Sequence, residues 1–97
     1  MIEINAKINV VEAKREGTSS KGNHWESQRL TLRWDEVYDA EGRTRTQYVI
    51  VELRGRDLER FEERGLKVGD EVSGFLDFDI FTTKQGFTSN DIKLCLR

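Results

Sequence analysis

Apolar and polar residues alternate with a period of two along most of this chain. Ile2, Ile4, Ala6, Ile8 and Val10 alternate with Glu3, Asn5, Lys7 and Asn9, the pattern of a strand with one face in a core and one in water. After Val10 the phase slips, and Val11 and Ala13 become the apolar positions. One extra residue near Val10 and Val11 predicts a β-bulge, which lets a strand curl around a small barrel. Residues 16–23, E-G-T-S-S-K-G-N, read as a turn or loop. From His24 to Trp34 the alternation returns, with Leu30, Leu32 and Trp34 on one face and Trp25, Ser27, Arg29, Thr31 and Arg33 on the other. Residues 35–43 are polar, contain Gly42 and read as an extended hairpin loop. Tyr48 to Arg54 then places Val49, Val51 and Leu53 inward, with Tyr48, Ile50, Glu52 and Arg54 outward.

The period changes once. In residues 56–64, Leu58 and Phe61 stand three apart among charged neighbours, which predicts a two-turn helix with one narrow apolar stripe. So short a helix needs tertiary packing to persist, and it is expected to plug the open end of a barrel. Gly65 stops it, and Lys67-Val68-Gly69-Asp70 turns the chain. A long strand follows, with Val72, Gly74, Leu76, Phe78 and Ile80 inward and Glu71, Ser73, Phe75, Asp77, Asp79 and Phe81 outward. After a turn at residues 82–86, the last strand brings Ile92, Leu94 and Leu96 inward. Three strands, a short helix and two more strands predict an all-β fold, a five-stranded Greek-key OB-fold barrel with its helix between strands 3 and 4.

The chain has 97 residues, 36% hydrophobic and 35% charged, with eight Gly and no Pro. That length holds one modest core, so residues 1–97 are expected to form a single OB-fold domain. No apolar run is long enough to span a membrane, and no signal peptide is recognisable. A lone cysteine, Cys95, leaves no intrachain disulfide framework, and a cytoplasmic location is expected. The net charge of -2 argues against coating nucleic acid by charge alone. The charge is uneven, however. Residues 1–34 hold six Lys and Arg against four Asp and Glu, while residues 35–97 hold ten against fourteen.

Residues 17–25, a flexible first hairpin leading into Trp25, the helix before G-L-K-V-G-D-E-V-S-G, and the last hairpin from Phe81 to Phe87 together resemble the single-stranded DNA-binding protein superfamily, and within it small bacterial OB-fold domains of this length. The resemblance covers essentially the whole chain. It implies an OB-fold and a single-stranded nucleic acid as partner. Replication proteins of that superfamily carry a tail with an acidic tip that recruits partners; this sequence ends Leu94-Cys95-Leu96-Arg97, so no recruitment role is expected.

Nucleic-acid OB-folds combine basic grooves with aromatic rings on which bases stack. The candidates here are Trp25, Arg29 and Arg33 on the second strand and Tyr48 and Arg54 on the third, with Lys14, Arg15 and Lys21 near the first hairpin and Phe81 and Phe87 framing the last. The competing explanation is structural: an aromatic at a strand end caps a core or enters a subunit interface, and exposed arginines form a solvated face. Outward Ile50 and Phe75 suit a subunit contact better than a nucleic acid, so a homo-oligomer is expected.

The remaining chemistry is thin. Asp77 and Asp79 share a face, as metal-binding carboxylates do, but they read as acids that keep a strand in water and discourage edge pairing. His24 and Cys95 each lack a partner at a recognisable spacing. The G-T-S-S-K-G-N loop lacks the spacing of a phosphate loop and opens no helix. No enzyme, cofactor or metal is therefore expected. The sequence predicts a non-enzymatic module that binds single-stranded DNA, or RNA, by stacking and phosphate contacts. The alternative is an OB-like structural or protein-interaction module, such as a component of an oligomeric assembly; the acidic pI near 5.5 and the Asp77, Asp79 pair favour it.

Overall fold

The computed structural model describes residues 2–82, 84–86 and 88–97, with the side chains of residues 80, 81 and 88–90 outside that description. The strands are β1 (Ile2–Val11), β2 (Arg15–Thr18), β3 (His24–Val37), β4 (Thr44–Arg54), β5 (Glu71–Thr82) and β6 (Thr88–Leu96), and α1 (Gly55–Glu63) lies between β4 and β5. Five of them close a barrel in the order β1–β3–β4–β6–β5 and back to β1. This is the expected five-stranded OB-fold, with its helix between the third and fourth barrel strands. The additional strand, β2, pairs only with β3, from Arg15↔Ser27 to Thr18↔His24. Part of the segment expected as a loop is therefore a short edge strand, and the turn itself is confined to residues 19–23.

β1 closes the barrel by serving two partners. Its first half pairs with β5, from Ile2↔Leu76 to Lys7↔Glu71. Its second half pairs with β3, from Lys7↔Arg33 to Val11↔Leu30. The register slips between Ile8 and Val10, which makes Asn9 the extra residue of the bulge, next to the expected position. The slip turns Val10 outward beside Thr31 and Val11 inward beside Leu30, so Val10 is exposed while Val11 packs on the core.

The barrel core is built from the predicted inward positions, among them Ile4, Ile8, Leu30, Leu32, Val51, Leu53, Leu76 and Leu94. Leu58 and Phe61 of α1 are buried against the same cluster, each contributing about 1.5–3 kcal/mol of apolar burial. The helix also finishes the edge of β6. The Leu96 amide donates to Asp57 Oδ1 at 2.9 Å, and Arg60 Nη1 donates to the Leu96 carbonyl at 3.2 Å. Gly65, at a φ of 58°, ends the helix, and the Leu66 amide reaches back to the Phe61 carbonyl, a closure for which a left-handed glycine is suited.

Two hairpins project beyond the barrel. β3 and β4 stay paired from Trp34↔Gln47 out to Val37↔Thr44, past the last β1 partner at Arg33. β5 and β6 likewise stay paired from Asp77↔Lys93 to Thr82↔Thr88, past the last β1 partner at Leu76. The arms account for a radius of gyration of 15.4 Å, against about 13 Å for a compact chain of this size. They also correct three expectations. Residues 35–37 are strand rather than loop, and β4 begins at Thr44 rather than Tyr48, leaving residues 38–43 as the turn. Phe78, expected inward, is exposed because β5 there has only β6 beside it. Trp34, also expected inward, is half-buried at the edge of the core, where β3 leaves the barrel.

Candidate functional site

The outward faces of β2, β3 and β4 form one continuous surface, and register fixes its rows. Gly17 lies beside Trp25. Arg15, Ser27 and Arg54 form the next row, then Arg29 with Glu52, Thr31 with Ile50, and Arg33 with Tyr48. Cross-strand partners share a face, so Trp25, Arg29, Arg33, Tyr48, Arg54 and Arg15 stand together on one side of a three-stranded sheet. Trp25, Tyr48 and Ile50 are 41%, 59% and 59% exposed. Ser27, expected to be exposed among them, is buried; it is a small side chain between its cross-strand partners Arg15 and Arg54.

Trp25 is held flat by a glycine. A Cβ built on Gly17 would meet the indole Cζ2 at 2.7 Å, Cε2 at 2.9 Å and Nε1 at 3.1 Å. One side of the ring thus covers the backbone of the edge strand, an arrangement that stabilises an otherwise weak glycine position.

The basic groups divide into engaged and free. Arg54 Nη2 contacts Glu52 Oε2 at 3.1 Å, so its charge is largely spent within the face. Arg15, Arg29 and Arg33 make no ion pair among the described residues. Lys21 lies at the exposed tip of the β2–β3 hairpin. Lys14 does not join the face: its Nζ lies 2.8 Å from Glu62 Oε1 and 3.2 Å from Glu26 Oε2, bridging α1 to β3. Hydrogen bonds to Glu62 and Glu26 raise the Lys14 pKa, and the same contact lowers that of Glu26. The side chains of Phe81 and Phe87 lie outside the described residues.

Acids border this surface on the β6 side. Lys93, in register with Glu52, is paired with Asp79, which raises its pKa. Asp79 therefore serves a strand-to-strand ion pair, and Asp77 is the cross-strand partner of Lys93. Phe75, expected to be an open contact for a subunit, is half-buried, with the Arg97 guanidinium 5.2 Å from its ring centre. Cys95 is half-buried, and burial foremost, then the Asp57 and Asp77 charges, pushes its thiol pKa up, the opposite of an activated nucleophile.

Three features near the face were not singled out in the sequence. Tyr38, at the tip of the β3–β4 arm, has its ring centre 5.3 Å from the Arg45 guanidinium and 5.9 Å from that of Arg43. A cleft of about 570 Å³ opens where β1 parts from β3, lined by Lys7, Arg33, Trp34 and Asp35 among others. Glu52 sits in register beside Arg29 and in contact with Arg54, which places a carboxylate in the middle of the basic face.

No protein-family model matches the chain, and no curated protein matches it in sequence. Solved structures do match. The single-stranded DNA-binding protein of Plasmodium falciparum, solved in complex with ssDNA, is 10% identical with a TM-score of 0.54, over 99% of this chain and 84% of that one. A small single-stranded DNA binding protein from Mycoplasma pneumoniae is 13% identical with a TM-score of 0.50, over 98% and 87%. At these identities the likeness establishes a shared fold. The chain has the OB-fold that these single-stranded DNA-binding proteins carry, as the sequence resemblance implied.

Proposed function

We propose that this chain is a non-enzymatic module, one OB-fold unit over residues 1–97, that binds single-stranded nucleic acid on the outward face of β2, β3 and β4. The observation that carries the proposal is the coincidence of exposed Trp25 and Tyr48 with Arg15, Arg29 and Arg33, which make no ion pair among the described residues, on one sheet face. Stacked aromatics hold bases of any sequence, and the guanidinium groups follow the phosphates. OB-folds use this region for oligonucleotides: the face of barrel strands 2 and 3 with the loops between strands 1 and 2 and between 4 and 5. Here those are the β3–β4 face, the β2–β3 hairpin with Lys21, and the β5–β6 hairpin, whose sequence carries Phe81 and Phe87. Both structural neighbours are single-stranded DNA-binding proteins, which supports single-stranded DNA as the partner, with RNA as the alternative.

Substitutions at the middle of the face have opposite expected effects. Arg29→Ala reduces the slope of log affinity against log salt by about 0.7, the loss of one phosphate contact on a single strand. Glu52→Gln removes the acid beside Arg29 and Arg54 and tightens binding at low salt. Fluorescence titrations with labelled oligo-dT at several salt concentrations read both. Equal slopes and affinities in wild type and both variants would remove the face from the binding site.

A second reading rests on Ile50, an apolar side chain 59% exposed at the centre of the same face. It suits a homo-oligomeric contact, in which case the chain is an assembly or protein-interaction module. Oligomerisation is compatible with strand binding only if the contact leaves Trp25 and the arginines open, and avidity then multiplies a weak site. Sedimentation equilibrium at micromolar concentration is expected to show a dimer or larger. A single 11.3 kDa species would contradict the oligomer.

A further inference from the structure

On the opposite side of the β2–β3 hairpin from Trp25, three side chains able to ligate a metal converge. Glu16 and Glu26 are direct cross-strand partners, and like charges so placed destabilise a strand pair. His24 precedes Glu26 by two residues and so shares its side of the strand. Its Nε2 lies 3.5 Å from Glu26 Oε1 and 3.8 Å from Glu16 Oε2, and the ligand atoms of all three lie within 4.8 Å of one another. Ligands held tetrahedrally at about 2.1 Å from Zn²⁺ stand roughly 3.4 Å apart, so the separations measured from His24 already approach that spacing.

We infer that Glu16, His24 and Glu26 form a binding site for a divalent transition metal ion of the Zn²⁺ class, with its remaining coordination position open to water. One nitrogen and two carboxylate oxygens match the ligand types that Zn²⁺ and its first-row neighbours take, and three protein ligands leave the ion accessible. Lys14 contributes by position. It holds Glu26 through Oε2, which leaves Oε1 directed at His24. The surroundings favour a cation, because Glu59 of α1 lines the same cavity as His24 and Glu26, while Glu62 and Arg54 in that cavity are paired with Lys14 and Glu52. The ion would fasten β2 to β3 at the hairpin that carries Gly17 and Trp25. The inference is independent of strand binding, since none of the three ligands lies on the proposed nucleic-acid face.

The test uses the untagged full-length chain. Calorimetric titration with ZnCl2 is expected to give one ion per chain, and CoCl2 the visible absorption of a four-coordinate cobalt. Zn²⁺ is also expected to raise the melting temperature, because it binds only the paired hairpin. His24→Ala and Glu16→Gln should each weaken Zn²⁺ binding at least about tenfold, in line with the loss of one ligand, and abolish the thermal shift. Glu36→Gln, on the exposed β3–β4 arm, should change neither, and circular dichroism checks that every variant is folded. Absence of stoichiometric binding at millimolar ZnCl2, or a folded His24→Ala variant that binds as tightly as wild type, would overturn the site.

Discussion

Replacing Trp25 by alanine is expected to weaken binding to oligo-dT by about 1–3 kcal/mol, the contribution of one stacked base, or roughly 5- to 150-fold in affinity. The dependence on salt should stay the same, because stacking releases no counterions. This separates the indole from the arginines, whose loss changes the slope. The effect should appear in binding and not in folding. Trp25 is exposed on one side and rests on Gly17 on the other, so its removal uncovers an edge strand without opening the core. Circular dichroism and a urea midpoint close to wild type, measured on the same preparation, establish that the variant is folded. A folded variant with unchanged affinity would show that the indole only covers the β2 backbone.

Gly74→Ala is expected to have the largest effect on stability. Gly74 sits at an inward position of β5, paired with Ile4 on one side and Leu96 on the other. A Cβ there would stand 2.1 Å from the Cys95 carbonyl oxygen, 3.1 Å from its carbon and 3.3 Å from the Leu96 Cα. All three are backbone atoms of the neighbouring strand and cannot rotate away as a side chain would. Overpacking costs about 1–3 kcal/mol and sometimes more, and here the obstacle lies where β6 is also clipped by Asp57 and Arg60. The expected loss is therefore at or above about 3 kcal/mol, a large part of the 5–15 kcal/mol typical of a folded domain. Urea unfolding measures it directly. A midpoint equal to wild type would mean that β5 and β6 separate more easily than their pairing implies.

Alternation made most of the barrel legible. It assigns Leu30, Leu32, Val51, Leu53, Leu94 and Leu96 to the core because a pleated strand has only two faces, and the slip after Val10 marks the bulge because one inserted residue reverses that assignment. Alternation reports which way a side chain points but not whether another strand or the core lies there. Phe78 has the inward phase and is exposed because its arm has left the barrel; Trp34 has it and is only half-buried for the same reason. β2 was hidden because R-E-G-T contains no apolar alternation; it pairs only with β3, across the hairpin.

The candidate face was legible in the same partial way. Its residues follow from strand phase, and register then places Arg33 beside Tyr48 and Arg54 beside Ser27. Spacing in the sequence does not reveal which charges are already taken. Lys14 and Arg54 are engaged by Glu62 and Glu52, while Arg15 makes no ion pair among the described residues. Nor does it reveal that His24 has two carboxylates beside it, since Glu16 reaches it only across the hairpin.

The most direct measurement is a fluorescence titration of the wild-type protein with oligo-dT at two salt concentrations. Saturable binding is expected, with quenching of tryptophan emission as a base covers Trp25. Affinity should fall as salt rises, with a slope of magnitude about 2, from three arginines at about 0.7 each on a single strand. No binding at low salt would contradict the account, and the β2–β3–β4 face would then be the contact surface of a protein-interaction module.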